Sequence, residues 1–140
     1  MADMQRWLLR ARGINAKIDA LDELIERAKS RLEGGGSKGG GGGGSRKPGG
    51  LDKYLIQIET YKSDREKMVR IRDEVYDAIC MLEDKRYQTA LIRYYITGQE
   101  WQDIADRMEV DRRTVTRWHG RALQELEKIF EMSHNVPQCP

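Results

Sequence analysis

Residues 99–130, QEWQDIADRMEVDRRTVTRWHGRALQELEKIF, decide the fold of this chain. They divide into two helical patterns on either side of a three-residue turn, Glu109-Val110-Asp111. Apolar or small residues recur on one side of both patterns at the spacing of an amphipathic helix. The predicted shared core consists of Ile104, Ala105, Met108, Val110, Val115 and Trp118. This pattern is typical of a helix-turn-helix, in which the small Ala105 lets the two helices cross closely.

The outward side of the second helix is rich in arginine. Asp111 is a favourable N-cap, because its carboxylate suits the positive end of a helix. Residues 112–121, which follow it, contain four arginines and no acidic residue. We expect this face to contact a DNA major groove through Arg112, Arg113, Thr114, Thr116, Arg117 and Arg121. Arginine binds guanine edges or phosphates, and threonine binds thymine methyl groups or phosphates, so the sequence leaves their individual roles open.

A shorter helix is predicted just before this motif, from Lys85 to Ile96. Its buried side would carry Ala90, Leu91, Tyr94 and Tyr95. Thr97-Gly98 is expected to end it, because glycine tolerates the left-handed conformation that often follows a helix. With the motif, this helix defines a domain over residues 85–132.

Two longer helical patterns occupy the first part of the chain. In residues 1–33, apolar residues alternate at spacings of four and three: Trp7, Ala11, Ile14, Ile18, Leu21, Ile25, Ala28 and Leu32. A second pattern covers residues 51–84, with Arg65 and Arg72 interrupting its apolar seam. Each helix would be about 50 Å long, and together they predict an antiparallel coiled-coil hairpin. The seam is either internal to this scaffold or a surface for homo-oligomerisation.

Residues 34–50, between the two patterns, predict a flexible linker. They contain eleven of the fourteen glycines and no apolar side chain other than Pro48, so they bury nothing that could offset the entropy of ordering. The sequence does not distinguish a natural segment from an engineered one. Residues 133–140 are expected to be a disordered tail.

The composition argues against several classes of protein. No stretch of the 140 residues has the roughly 20 apolar residues of a membrane span, and we expect no membrane partner and a cytoplasmic location. The two histidines and two cysteines, His119, His134, Cys80 and Cys139, lack the spacing of a metal site. No catalytic motif is present, so the sequence predicts no enzyme, no metal and no cofactor.

The run TALIRYYITGQEWQDIADRMEVDRRTVTRWHGRALQELEKI, residues 89–129, resembles region 4 of sigma-70-type sigma factors. The resemblance rests on Leu91 to Tyr94, Asp103-Ile104-Ala105, Arg112 to Arg117 and Arg121-Ala122-Leu123. The layout of a hairpin followed by this unit also resembles phage regulators of the ArpU and RinA type. The resemblance implies a DNA-binding regulator of phage or prophage genes in a bacterial host. Region 4 further implies contact with a promoter −35 element and with RNA polymerase.

Three positions depart from the sigma pattern. Glu100 stands where the family usually has a serine or threonine cap, Glu109 stands where the turn often has glycine, and Gly120 interrupts a helix that sigma factors continue. The region that melts promoters is also missing, so we do not expect a complete sigma factor. Two other interpretations remain open: a protein-interaction module that binds a partner or polymerase, and a protein similar to the small subunit of a phage terminase.

Overall fold

The computed structural model describes residues 2–34 and 49–132. Within these ranges the chain forms six α-helices and one π-helical turn, Ile92–Ile96. The α-helices are α1 Ala2–Leu9, α2 Ile14–Gly34, α3 Gly49–Ile79, α4 Lys85–Leu91, α5 Trp101–Met108 and α6 Arg112–Met132. The predicted all-α fold is therefore confirmed. Residues 35–48 of the predicted linker and the predicted tail at 133–140 lie outside the described residues.

Contacts divide the chain into two units. The first, which we call the compact unit, consists of Met1–Asn15 and Arg70–Pro140; the second, the hairpin unit, is Ala16–Val69. The predicted division differs, because it assigned all of 1–33 and 51–84 to a hairpin and only 85–132 to the helix-turn-helix domain. The physical reason is that apolar residues of α1 and of the end of α3 belong to the same core as α4, α5 and α6.

The core of the compact unit is continuous from its first helix to its last. The Trp7 ring meets Phe130 edge-on, with 6.1 Å between ring centroids. The Tyr95 side chain is completely buried. The other buried members are Met4, Leu8, Ala11, Val75, Ala78, Ile79, Leu82, Tyr87, Ala90, Leu91, Ile104, Ala105, Val115, Ala122, Leu123 and Leu126. Burial of this many apolar side chains fixes where α5 and α6 lie within the unit.

The N-terminal helix is not the unbroken one that the sequence predicted. α1 ends at Leu9, and α2 begins only at Ile14. Gly13 has φ +83°, a left-handed conformation that glycine adopts without steric cost. The four-and-three spacing continues across this break because Trp7, Ala11 and Ile14 are all buried. The spacing of apolar residues therefore predicted the burial of these residues correctly, but the prediction of one continuous helix is wrong.

In the hairpin unit, few side chains are buried. Ile18, Ile25, Ala28 and Ile58 are the buried apolar residues among its described positions. The Nε of Arg65 on α3 lies 2.6 Å from the Oδ1 of Asp22 on α2. An arginine that interrupts the predicted apolar seam therefore joins the two helices, as the predicted antiparallel hairpin requires. Leu55, an apolar residue within the second helical pattern, is exposed.

The end of α3 and the helix that follows belong to the compact unit. There Arg72, the second interruption of the seam, donates from Nη1 to the Oδ1 of Asn15 at 3.0 Å. α3 stops at Ile79, short of the predicted residue 84. The predicted helix over 85–96 is present, but its last five residues widen into the π-helical turn, and Gly98 ends it with φ +83°.

Candidate nucleic-acid interface

The helix-turn-helix has the boundaries that the sequence predicted. α5 ends at Met108 and α6 begins at Arg112, which leaves Glu109, Val110 and Asp111 as the turn. Three of the predicted core residues, Ile104, Ala105 and Val115, are completely buried. The other three predicted core residues, Met108, Val110 and Trp118, are only partly buried and pack against the edge of this core.

Trp118 lies at the boundary between core and surface rather than at its centre. The Arg86 guanidinium lies over the Trp118 ring, 5.4 Å from the ring centroid, and Asp84 in turn accepts from that guanidinium at 2.8 and 3.1 Å. This contact holds the pKa of Asp84 below its ordinary value, because the arginine stabilises the charged carboxylate. α4 is thereby linked to α6 through an arginine that the sequence did not single out.

Glu109 adopts the left-handed conformation in the turn, with φ 59° and ψ 43°. The amide of Val110 donates to the carbonyl of Ala105 at 3.0 Å, which closes the end of α5. A side chain in this conformation brings Cβ close to the backbone, so glycine would fit with less strain. Glu109, which stands where sigma factors often have glycine, is therefore the one non-glycine residue with positive φ among the described residues.

The arginine face of α6 points into solvent. Arg112, Arg113, Thr116, Arg117 and Arg121 are all exposed. Among the described residues, none of the four arginine side chains is bound to a carboxylate, in contrast to Arg12, Arg65 and Arg86 elsewhere in the chain. Four unpaired guanidinium groups along one exposed helix face form a surface suited to a polyanion.

The two threonines of this helix differ in position. Thr114 is half-buried, and its amide donates to the carbonyl of Asp111 at 3.0 Å in the first turn of α6. The Thr116 hydroxyl is exposed and donates to the carbonyl of Arg113 at 3.0 Å. Its proton is thus engaged within the helix, while its methyl group and the remaining lone pair face outward. Thr116 is the better placed of the two for contact with a ligand.

The start of α5 is held by a residue from the N-terminal segment. Arg12 donates to the carbonyls of Tyr94 and Gln99 at 2.7 and 3.0 Å, and to the Glu100 carboxylate at 2.9 Å. Glu100 makes no side-chain cap on α5, in agreement with its poor capping character. Arg12 thus binds the Glu100 carboxylate and two backbone carbonyls just before α5.

An aromatic stack continues from Arg12 to the candidate recognition helix. The Arg12 guanidinium lies 3.9 Å from the centroid of Tyr94, and Tyr94 stacks on Trp101 at 3.9 Å with an interplanar angle of 5°. Trp101 lies 4.6 Å from the ring of His119 on α6. These contacts link the N-terminal segment, the π-helical turn, α5 and α6 within the compact unit.

The His119 side chain lies on the inner side of α6, in contact with Tyr95. Its Nε2 lies 2.6 Å from the Tyr95 hydroxyl. Burial lowers the pKa of His119 to about 4 and raises the pKa of Tyr95 well above its ordinary value, because both charged forms lose hydration. At neutral pH the phenol therefore keeps its proton and can donate it to the neutral imidazole. His119 serves the packing of α6 and adds no charge to its outer face.

Sequence reasoning identified the outer face of α6 and missed the residues that hold it. Arg12 is 82 residues away from its partner Tyr94, and no local pattern indicates such a contact. Asp84 could have been recognised as the N-cap of α4, where it accepts from the Arg86 amide. Among the described residues, no cluster of side chains could hold a metal ion.

Geometry and charge define a helix-turn-helix of the DNA-binding class, with the outer face of α6 as its candidate recognition surface. Residues 72–126 match the family Sigma-70, region 4. The chain thus carries a sigma-70 region 4-like helix-turn-helix, which is consistent with a transcriptional regulator and points away from an enzyme. The matched segment starts within α3, before the predicted domain boundary at residue 85. No curated protein and no solved structure matches the chain. None of the described helices could span a membrane.

Proposed function

We propose that this protein is a sequence-specific DNA-binding regulator of phage or prophage genes, with the outer face of α6 in the major groove. The observation that carries the proposal is the exposed, unpaired set Arg112, Arg113, Arg117 and Arg121 on a helix of sigma-70 region 4 type. A major groove about 12 Å wide accommodates one α-helix. The first turn of α6 would supply base contacts, and residues further along would bind phosphates.

The distribution of charge favours α6 as the element that enters the groove. The exposed residues of α5 include Asp103 and Asp106, and the turn adds Glu109. Phosphates would repel these carboxylates, while the first ten residues of α6 present arginines without an acid. Although α5 also exposes Arg107, α6 is therefore the better suited of the two helices to a polyanion.

Affinity requires a second contact beyond one copy of the motif. A single module of this size buries only about 600–1,000 Å², less than most specific regulators use. We propose that a second copy of the chain or host RNA polymerase provides the missing contact through the hairpin. Random-library selection of duplex DNA, with and without host polymerase, tests this arrangement. Enrichment only with polymerase would favour a sigma-like mode of action.

The direct test removes three guanidinium groups from the proposed surface. Arg112→Ala, Arg113→Ala and Arg117→Ala together should weaken duplex binding strongly and flatten the plot of log K against log salt by about one per lost phosphate contact. A matched control removes three exposed arginines of other helices, Arg27, Arg31 and Arg70. If the α6 variant binds DNA like the wild type, or no more weakly than the control variant, the assignment of α6 is wrong.

A protein-interaction module is the second candidate function. It is favoured by Leu55 and Ile56, two consecutive apolar residues of α3 in the hairpin unit that are both exposed. Contiguous exposed apolar patches are typical of surfaces that bind another protein, and these two residues would contribute to such a patch. Absence of any enriched sequence, with or without polymerase, would favour this candidate over DNA binding.

A further inference from the structure

Gly120 lies in the interior of α6, at a position where the chain itself gives no reason for glycine. A Cβ built at Gly120 would meet no atom within 4 Å, so the residue is not required for close packing inside the protein. Its φ is not in the left-handed region, so no special backbone conformation requires glycine either. Glycine in a helix interior is less favourable than every residue except proline. Something outside the chain would explain its presence.

The neighbours of Gly120 identify the face on which it lies. Residues three, four and seven positions away share a helix face, and for Gly120 these include Arg113, Thr116, Arg117 and Gln124. All four are exposed. Gly120 is therefore a gap in the side-chain layer towards the C-terminal end of the proposed recognition surface, with the exposed Arg117 and Arg121 on one side and the buried Leu123 on the other.

The distance along the helix indicates which part of DNA would meet this gap. Gly120 follows Arg112 by eight residues, or about 12 Å of helix rise. A recognition helix contacts base edges with its N-terminal residues, and where it tilts out of a groove about 8.5 Å deep, residue 120 would reach the rim of the groove. The sugar-phosphate backbone forms that rim, and arginines 117 and 121 beside the gap suit its charge.

We propose that the DNA sugar-phosphate backbone packs directly against α6 at Gly120, and that any side chain at this position pushes the duplex away. This inference rests on the proposed function, because it assumes that the arginine face binds DNA. It assigns Gly120 a role in close approach, with neighbouring arginines as the phosphate-binding groups.

The test uses the full chain and two substitutions, Gly120→Ala and Gly120→Leu. Both add a good helix-forming residue into open space, so the urea midpoint should rise in both variants. Duplex affinity, measured by fluorescence anisotropy on the selected sequence, should fall several-fold for alanine and at least about tenfold, or roughly 1.4 kcal/mol, for leucine. Higher stability together with weaker binding is not expected from a merely structural glycine.

Ala20→Leu is the matched control, because it adds the same uncharged bulk at an exposed position of α2. It should leave DNA affinity unchanged. Wild-type affinity in Gly120→Leu would overturn the inference, and so would loss of affinity that is matched by a lower urea midpoint. If Gly120→Leu binds normally while the triple arginine variant does not, only this inference fails. If the triple arginine variant also binds normally, the proposed function fails with it.

Discussion

The compact unit and the hairpin unit are both helical, yet they are stabilised by different means. The compact unit has a continuous apolar core that includes Leu126, Val115 and Tyr95, all without exposed surface. The hairpin unit has four buried apolar residues among its described positions and leaves Leu55 48% exposed and Ile56 65% exposed. A continuous core allows few alternative packings, whereas a narrow seam with an apolar surface leaves room for a partner. The compact unit is therefore the part of the chain that holds its side chains in well-defined positions.

Arginine has a different role in each unit. In the compact unit, Arg12 is 21% exposed and donates to two carbonyls and a carboxylate. In the hairpin unit, Arg65 is 40% exposed and pairs with Asp22 alone. A guanidinium that donates to partly buried carbonyls contributes more to stability than one in a solvent-screened pair. The predictions below test this contrast, in order of expected effect.

Leu126→Ala should give the largest difference between the units. Loss of a fully buried leucine costs about 2–5 kcal/mol of unfolding free energy, since a cavity remains. Leu55→Ala should change stability by less than about 0.5 kcal/mol. All three tryptophans, Trp7, Trp101 and Trp118, lie outside residues 16–69, so tryptophan fluorescence in urea reports the compact unit, and circular dichroism, which detects the helices of both units, measures the effect of Leu55→Ala. Equal effects of the two substitutions would contradict the contrast in packing.

Acid should destabilise the compact unit through His119. Its pKa in the folded state is about 4, below the ordinary value of 6.5, so the unfolded chain takes up the proton first as pH falls. Stability that is present above pH 6.5 should therefore decline towards pH 4, by on the order of 2–3 kcal/mol. His119→Gln should flatten this dependence in fluorescence-monitored unfolding. Residues 16–69 contain no histidine, so the hairpin unit lacks this source of pH dependence.

Arg12→Ala should lower the free energy of unfolding by about 2 kcal/mol. The substitution leaves the carbonyls of Tyr94 and Gln99 without the Arg12 donor and removes the contact with the Tyr94 ring. Arg65→Ala should lower the free energy of unfolding by only about 0–1 kcal/mol. Chemical denaturation of both variants measures the difference. Arg12→Lys retains the charge but not the planar fork, and it should recover only part of the loss. Full recovery would show that charge alone matters at this position.

Glu109→Gly should have the smallest effect, and in the opposite direction. Glycine removes the steric cost of φ 59°, so the compact unit should become about 1 kcal/mol more stable. The expected signature is a higher thermal midpoint with unchanged helical content by circular dichroism. A lower midpoint would mean that the Glu109 side chain makes a stabilising contact worth more than the strain.

The sequence predicted the helix-turn-helix well, because its signals are local. The turn at 109–111, the stop at Gly98 and the outward arginines of α6 each follow from helix period and end signals within a few residues. The same reasoning failed between Leu9 and Ile14. An apolar spacing that persists through a turn has the appearance of one helix, and only the contacts of Arg12 with Tyr94 and Gln99 reveal why the chain bends there.

The all-helical class could be read from the amino-acid sequence alone, together with the position of the helix-turn-helix and the arginines of its outer face, since helix period and charge are properties of neighbouring residues. Tertiary structure alone decided that the first fifteen residues join the compact unit, that Trp118 lies at its edge, and that His119 is held neutral beside Tyr95. Those outcomes depend on contacts between residues far apart in the chain. Their free energies come from burial and hydrogen bonding, which no local pattern encodes.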